Sequence, residues 1–250
     1  MTYQESSSSV LIAYANSENT KTIFDTLTDK AYKLRSTLRY NSLHDLPISE
    51  AAKAEYEAAK NAANDALVAR SRSEMILDIC RDNARSAWIF EKLSAFVDML
   101  GTIAGKKYGP KTAQKFDAAI RADLECQVTF CDKYGHGYAE FSPLNPADRR
   151  IIGGNAICVS VSSEILPGNV VTPAPLDQWK VLYLPEPVAD PEKRADAIIA
   201  AHKEVLSAYE SFKRIVETYN DLLPTASTTR IEAGFFHESS MYKFHGLRTA

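Results

Sequence analysis

The chain is poor in the residues that usually betray a chemistry. It has five histidines, four cysteines and two tryptophans in 250 residues, none of them clustered in a known ligand spacing. No His-Glu-x-x-His segment occurs, nor the Glu-x-x-His of carboxylate-bridged di-iron bundles, so the common helical metal signatures are excluded. Cys80, Cys126, Cys131 and Cys158 are scattered through segments that read as helix or strand, which points to buried free thiols in a reducing compartment rather than a disulfide framework. No apolar run approaches the roughly 18 residues that span a bilayer, and Asp98 interrupts the best candidate, Phe96–Ala104. The first residues, MTYQESSSSVLIAYANSEN, have no basic start, and Val10–Ala15 is too short for a signal core. A cytoplasmic chain with no membrane partner is the expectation. A net charge of −3 argues against a dedicated binder of nucleic acid.

Several short stretches imitate functional motifs and fail on context. Arg150-Ile151-Ile152-Gly153-Gly154 has the form of the mature start of a trypsin-like protease. Only a hundred residues follow it, without a nucleophile loop or a segment to supply the base, and their longest element is a helix. The glycines are expected to form a tight turn before a strand. Gly101-Thr-Ile-Ala-Gly105-Lys106-Lys107 has three residues between its glycines where a phosphate loop has four, and it closes a helix instead of opening one. Cys126, Cys131 and His136 are evenly spaced, but five residues along one strand place the two thiols on opposite faces. Neither a metal nor a cofactor is expected. His202, on the apolar stripe of the last helix, reads as a core histidine.

The patterning predicts an α+β fold, predominantly α: an antiparallel bundle of long helices with a small antiparallel β-sheet inserted in the middle of the chain. Residues 1–16 read as a flexible segment, with a short strand at Val10–Ala15. Residues 17–229 read as one helical-bundle domain with its β insertion at about 127–185, and 230–250 as an aromatic tail. The helical pattern begins after Ser17, with Ile23, Leu27, Ala31, Leu34 and Leu38 at spacings of three and four. Ser49 is placed to cap the next helix, whose residues 50–70 are rich in Ala, Glu and Lys. The stretch from Ser73 is heavier: Ile76, Cys80, Ala87, Phe90, Leu93, Val97 and Leu100 form a stripe that Trp88, Ile89 and Phe96 widen. Another helix runs from Lys111 to about Glu125.

Over 127–142 the period changes to two. A turn at Gly135-His136 sets Phe130 opposite Phe141 and gathers Val128, Phe130, Ala139 and Phe141 on one face. Strands follow at Ala156–Ser162 and Trp179–Leu184. The last helix starts at Asp190-Pro191 and carries Ile198, Val205, Phe212 and Tyr219 every seven residues, with His202, Tyr209, Val216 and Leu223 offset by four. That stripe is expected to face the core, with Phe212 buried at its centre.

Two segments carry the functional expectations. Phe235, Phe236, Tyr242 and Phe244 crowd into ten residues after a polar linker, and aromatics at a chain end call for a surface to dock on. They are the candidate partner-binding residues of a non-enzymatic assembly protein, a homo-oligomer or a protein with another protein partner. Lys106, Lys107, Lys111 and Lys115, with Tyr108 among them, form a locally basic patch that suits a nucleic-acid-associated protein as the alternative. No convergent catalytic set is legible, which leaves an enzyme only if its site is assembled from distant residues.

Overall fold

The computed structural model describes residues 2–103, 110–133, 136–153, 157–160, 180–181 and 186–222. Its elements are α1 (Tyr3–Leu43), α2 (Glu50–Ile103), α3 (Pro110–Asp123), β1 (Cys126–Lys133), β2 (His136–Pro143), α4 (Pro146–Ile152), β3 (Ile157–Ser160), β4 (Lys180–Val181) and α5 (Pro191–Asp221). The architecture is α+β and predominantly α, as the patterning predicts. The chain packs as two compact units, one of Met1–Ile12 with Asp78–Ala189 and the other of Ala13–Leu77 with Asp190–Ala250.

The N-terminal expectation is overturned. Residues 3–16 are neither a loose end nor a strand at Val10–Ala15; they are the first turns of α1. A capping box starts the helix: the Glu5 amide donates to Thr2 Oγ1 at 3.3 Å, and the Thr2 amide donates to Glu5 Oε2 at 2.8 Å. Ser6 to Ser9 return their hydroxyls to carbonyls three or four residues back, at 2.9–3.1 Å, so the serine run is satisfied inside the helix. Ser6 is fully buried and Val10 nearly so.

From residue 10 onward the buried and half-buried positions of α1 form one seam of strict alternation: 10, 13, 17, 20, 24, 27, 31, 34, 38 and 41. Between residues 11 and 43 every position off this seam is exposed. Spacings of three and four over so many turns give a period of 3.5, which favours left-handed supercoiling. The seam admits Phe24 and leaves its neighbour Ile23 46% exposed, a correction to the stripe read from sequence. A left-handed Asp45 closes the helix, with the Leu46 amide reaching back to the Asn41 carbonyl at 2.9 Å.

In the second unit, α1 and α2 form an antiparallel hairpin. Arg70 lies 5.3 Å over the Phe24 ring, and Lys30 pairs with Glu55 at 3.8 Å nearer the connection. Ser49 caps α2 as expected, accepting from the Ala52 amide at 3.1 Å. Through residue 66 the inward positions of α2 are alanines (52, 59, 62, 63 and 66) apart from Tyr56, small enough for the larger residues of α1 to approach closely. Asp190 caps α5, accepting from the Lys193 amide at 3.0 Å, and Arg72 of α2 holds the first turns of α5 through Asp196 at 2.6 Å and Glu192 at 3.3 Å. These carboxylates raise the guanidinium's already high pKa further, with the Asp196 hydrogen bond the larger cause.

The first unit is built on the distal half of α2. Trp88, Ile89, Leu93, Phe96 and Leu100 are its deepest residues, so the side chains expected only to widen the stripe are the core, while Phe90 is half exposed. The sheet has the order β1-β2-β3-β4, all neighbours antiparallel. Its buried face carries Cys126, Ala139, Phe141, Ile157 and Val159, and Phe96 meets Phe141 edge to face at 5.5 Å. The hairpin register differs from the expected one by two residues: Phe130 pairs with Ala139 and Phe141 with Val128. Lys133 pairs with His136, so residues 134 and 135 lie between the strands, one place before the expected turn. A slip of two preserves which face each side chain takes, so the assignment of faces survives the wrong pairing.

Gly153 has a more specific role than the expected tight turn before a strand: it ends a short helix. Residues 146–152 are a short helix, started by Asn145, which accepts from the Ala147 amide at 2.9 Å, and by Pro146 in the first turn. Gly153 ends it at φ 82°, and the Arg85 guanidinium of α2 donates to the Ile152 carbonyl there. A cation at a helix C-terminus is favourable, and glycine suits the left-handed backbone there; a Cβ on residue 153 would stand 2.6 Å from Arg85 Nη2, so the guanidinium would have to shift. Ile151 and Ile152 are buried, which ties α4 to the unit. Asn83, also buried, exchanges two hydrogen bonds of 2.7 Å with the backbone of Val188, pinning the chain that leads out toward α5. Gly153→Ala is therefore expected to cost about 2 kcal/mol or more, from the left-handed backbone together with displacement of Arg85. Urea denaturation checks it, and a midpoint equal to the parent's contradicts this reading of the cap.

Candidate functional site

Among the described residues no group of three or more His, Cys, Asp or Glu side chains is placed to hold a metal. Cys126 and Cys80 are buried, and burial pushes the Cys126 thiol up to about 11, the reverse of what a nucleophile needs. Cys158 stands beside Glu140 on the opposite face of the sheet, its Sγ 3.8 Å from Oε1. Tyr3 donates to Asp148 Oδ1 at 2.6 Å, and its pKa is raised, first by burial and then by that carboxylate, so it is a neutral tie between α1 and α4. No helix among the described residues is long and apolar enough to cross a membrane.

Phe235, Phe236, Tyr242 and Phe244 lie outside the described residues, as do Lys106, Lys107 and Tyr108. Lys111 is in the first turn of α3, and Lys115, one turn further, is exposed. Cys131 and His136 occupy register positions opposite Tyr138 and Lys133. His202 is half-buried on α5.

That helix carries the feature of most consequence. Its buried and half-buried positions include 195, 199, 202, 206, 209, 213 and 216, spaced four and three without a break. Ala195, Ile199, Leu206 and Val216 are the buried members. The expected stripe shares 202, 209 and 216 with this seam but is otherwise turned by one residue, about 100° around the helix. The expectation that Phe212 is buried is therefore wrong: Phe212 is 42% exposed, with Val205 at 51%, Ile215 at 66%, Tyr219 at 41% and Leu222 at 80%.

The exposed residues are not scattered. Ile198, Ala201, Val205 and Ala208 alternate at three and four, and Phe212, Ile215, Tyr219 and Leu222 continue the series. All eight are apolar or aromatic; seven are exposed and Ile198 is half-buried. In heptad terms they occupy positions a and d, and the inner seam occupies b and e. Lys203, Glu210 and Glu217 fall on f, beside the inner seam and away from the outer one, while Ala200, Ser207, Arg214 and Asp221 fall on c, opposite both. One helix thus presents two seams side by side. The outer one is about 36 Å long at 1.5 Å per residue. Scattered surface apolar residues are ordinary, whereas a continuous stripe of that length is a distinct feature of this helix.

Two concave regions accompany these faces. One, of about 430 Å³, is lined in the first unit by Tyr3, Asn83, Phe90, Glu91 and Pro187 among others. The other, of about 310 Å³, runs between α1 and α2 in the second unit, where Phe24, Tyr32, Arg35 and Tyr56 meet Lys60 and Leu67. Both are open grooves, and neither gathers an acid, a base and a nucleophile.

No protein-family model matches the chain, and neither a curated protein nor a solved structure matches it. The two-seam signal is present in the sequence: Ile199 and Leu206 lie beside the stripe read from it, and the apolar arc is wider than one seam.

The inner seam has a direct test. Leu206→Ala removes a buried side chain and is expected to cost about 2–5 kcal/mol, whereas Lys203→Ala, on the polar face, should stay within about 0.5 kcal/mol. Chemical denaturation compares them. Equal effects would mean that the helix is turned otherwise than described.

Proposed function

We propose that this chain is a non-enzymatic assembly protein, a cytoplasmic homo-oligomer that self-associates through long heptad-patterned helices and its aromatic C-terminal residues. The observation that carries the reading is the second seam of α5, seven of whose eight positions are exposed. An apolar stripe of this regularity is costly in water. It has a physical reason when another helix lies along it, since interfaces concentrate their energy in buried apolar and aromatic anchors. Phe235, Phe236, Tyr242 and Phe244 follow on the same chain and are proposed as further anchors. Burying each such ring is worth roughly 1.5–3 kcal/mol, enough for a few to offset ordering the segment.

Light scattering on the full chain across a wide concentration range tests the reading. The expected mass is at least twice the 27.7 kDa of one chain. A strict monomer up to the solubility limit contradicts self-association. Removing residues 230–250 is expected to weaken the association while helix content is preserved; an unchanged association would take the tail out of the reading.

A further inference from the structure

The outer seam of α5 is self-complementary in one orientation only. When two heptad helices run antiparallel, each a position lies beside a d position of the partner. Centring the pair near Glu210 sets Ile198 beside Leu222 of the second copy and Val205 beside Ile215. It sets Ala201 beside Tyr219 and Ala208 beside Phe212. The two-fold axis repeats all four layers, giving eight, and the two aromatic rings meet the two alanines each time. Large against small across facing positions is how a core fills without voids or strain. A parallel, in-register pair would instead set Phe212 against Phe212 and Ala208 against Ala208, alternating overfilled layers with empty ones.

Charge agrees with the same orientation. The row that flanks the outer seam away from the inner one is Ala197, Glu204, Ser211 and Thr218, with a single charge among four. In the antiparallel pair Glu204 comes opposite Thr218, and Ser211 opposite its own copy, so no like charges face each other. The other flank is the inner seam itself. A closed two-fold contact of this kind uses the same patch on both chains, as most homodimers do.

We infer that the occupant of this face is a second copy of the chain, with the two α5 helices packed antiparallel about a two-fold axis near Glu210. The inference rests on the self-association reading and specifies where and in which orientation it happens. Val205 and Ile215 are both more than half exposed, so charges at either position are compatible with a folded chain.

The test uses the full chain and two variants, with mass followed by sedimentation over a dilution series and helix content by circular dichroism. Val205→Glu buries a charge against Ile215 of the partner and is expected to weaken dimerisation about a hundredfold or more at unchanged helicity. Adding Ile215→Lys to the same chain places opposite charges beside each other at both ends of the interface and should recover affinity to within about tenfold of the parent. In a parallel pair the double variant would instead set like charges against like and bind worse than the single one. That result overturns the antiparallel geometry. A parent oligomer whose mass Val205→Glu does not change overturns the α5 interface and leaves self-association standing. If Val205→Glu lowers the thermal midpoint while the mass stays constant, the chain's own residues 223–250 cover the stripe and the inference is wrong. A parent that is monomeric at every concentration overturns both proposals.

Discussion

An α-helix turns every residue by about 100°, so a helix in contact with one neighbour needs only a narrow apolar arc, two positions in seven. The rest of this structure depends on how each long helix uses that arc. α1 meets the minimum from residue 11 onward: one seam, with every position off it exposed. The first turns of α2, through residue 66, answer mostly with alanines, which lets the two helices approach. α5 departs from the rule. Its apolar arc spans four positions of the heptad (a, b, d and e), and its inner seam occupies only b and e. The surplus is what the functional reading is built on.

The first unit obeys a different constraint, the need to give a small sheet something to lie on. A sheet whose buried strands offer Ala139, Phe141, Ile157 and Val159 cannot stand alone. The distal half of α2 supplies support through Phe96, whose ring meets Phe141 of the sheet edge to face, and that half of the helix also buries Trp88 and Leu93. The polar contacts serve as locks on this arrangement: Arg85 on the end of α4, Asn83 on the backbone at Val188, and Tyr3 on Asp148. All three join segments far apart in sequence, and each satisfies a polar group that packing removes from water.

Much of this was legible in the residues, and the failures have physical causes. The long helices, their caps at Ser49 and Asp190, and the two faces of the hairpin follow from period and cap chemistry. The hairpin register was missed by two residues because a glycine at either central turn position makes a plausible turn, and the pattern of faces does not distinguish them. The serine run at 6–9 reads as a loose end by composition. The Thr2-to-Glu5 capping box that precedes it was the better guide, because local hydrogen bonding decides where a helix starts. The helix at 146–152 carries its own start and stop signals, Asn145-Pro146 and Gly153, but seven residues are too few for periodicity to show. On α5 periodicity was read correctly and orientation was not. Two overlapping seams have the same period, and nothing in the period says which one faces the core. That choice is made by the neighbours, here with Arg72 anchoring Glu192 and Asp196.

The central proposal is that α5 has one seam turned inward and that association adds cover over the second. Single-cysteine scanning of thiol labelling along α5, at high dilution and again at high concentration, tests it most directly. The account predicts that thiols at 199 and 206 are protected in both conditions, while thiols at 205 and 215 label freely when dilute and become protected when concentrated. Protection of 205 and 215 at every dilution, or free labelling of both at every concentration, would contradict it.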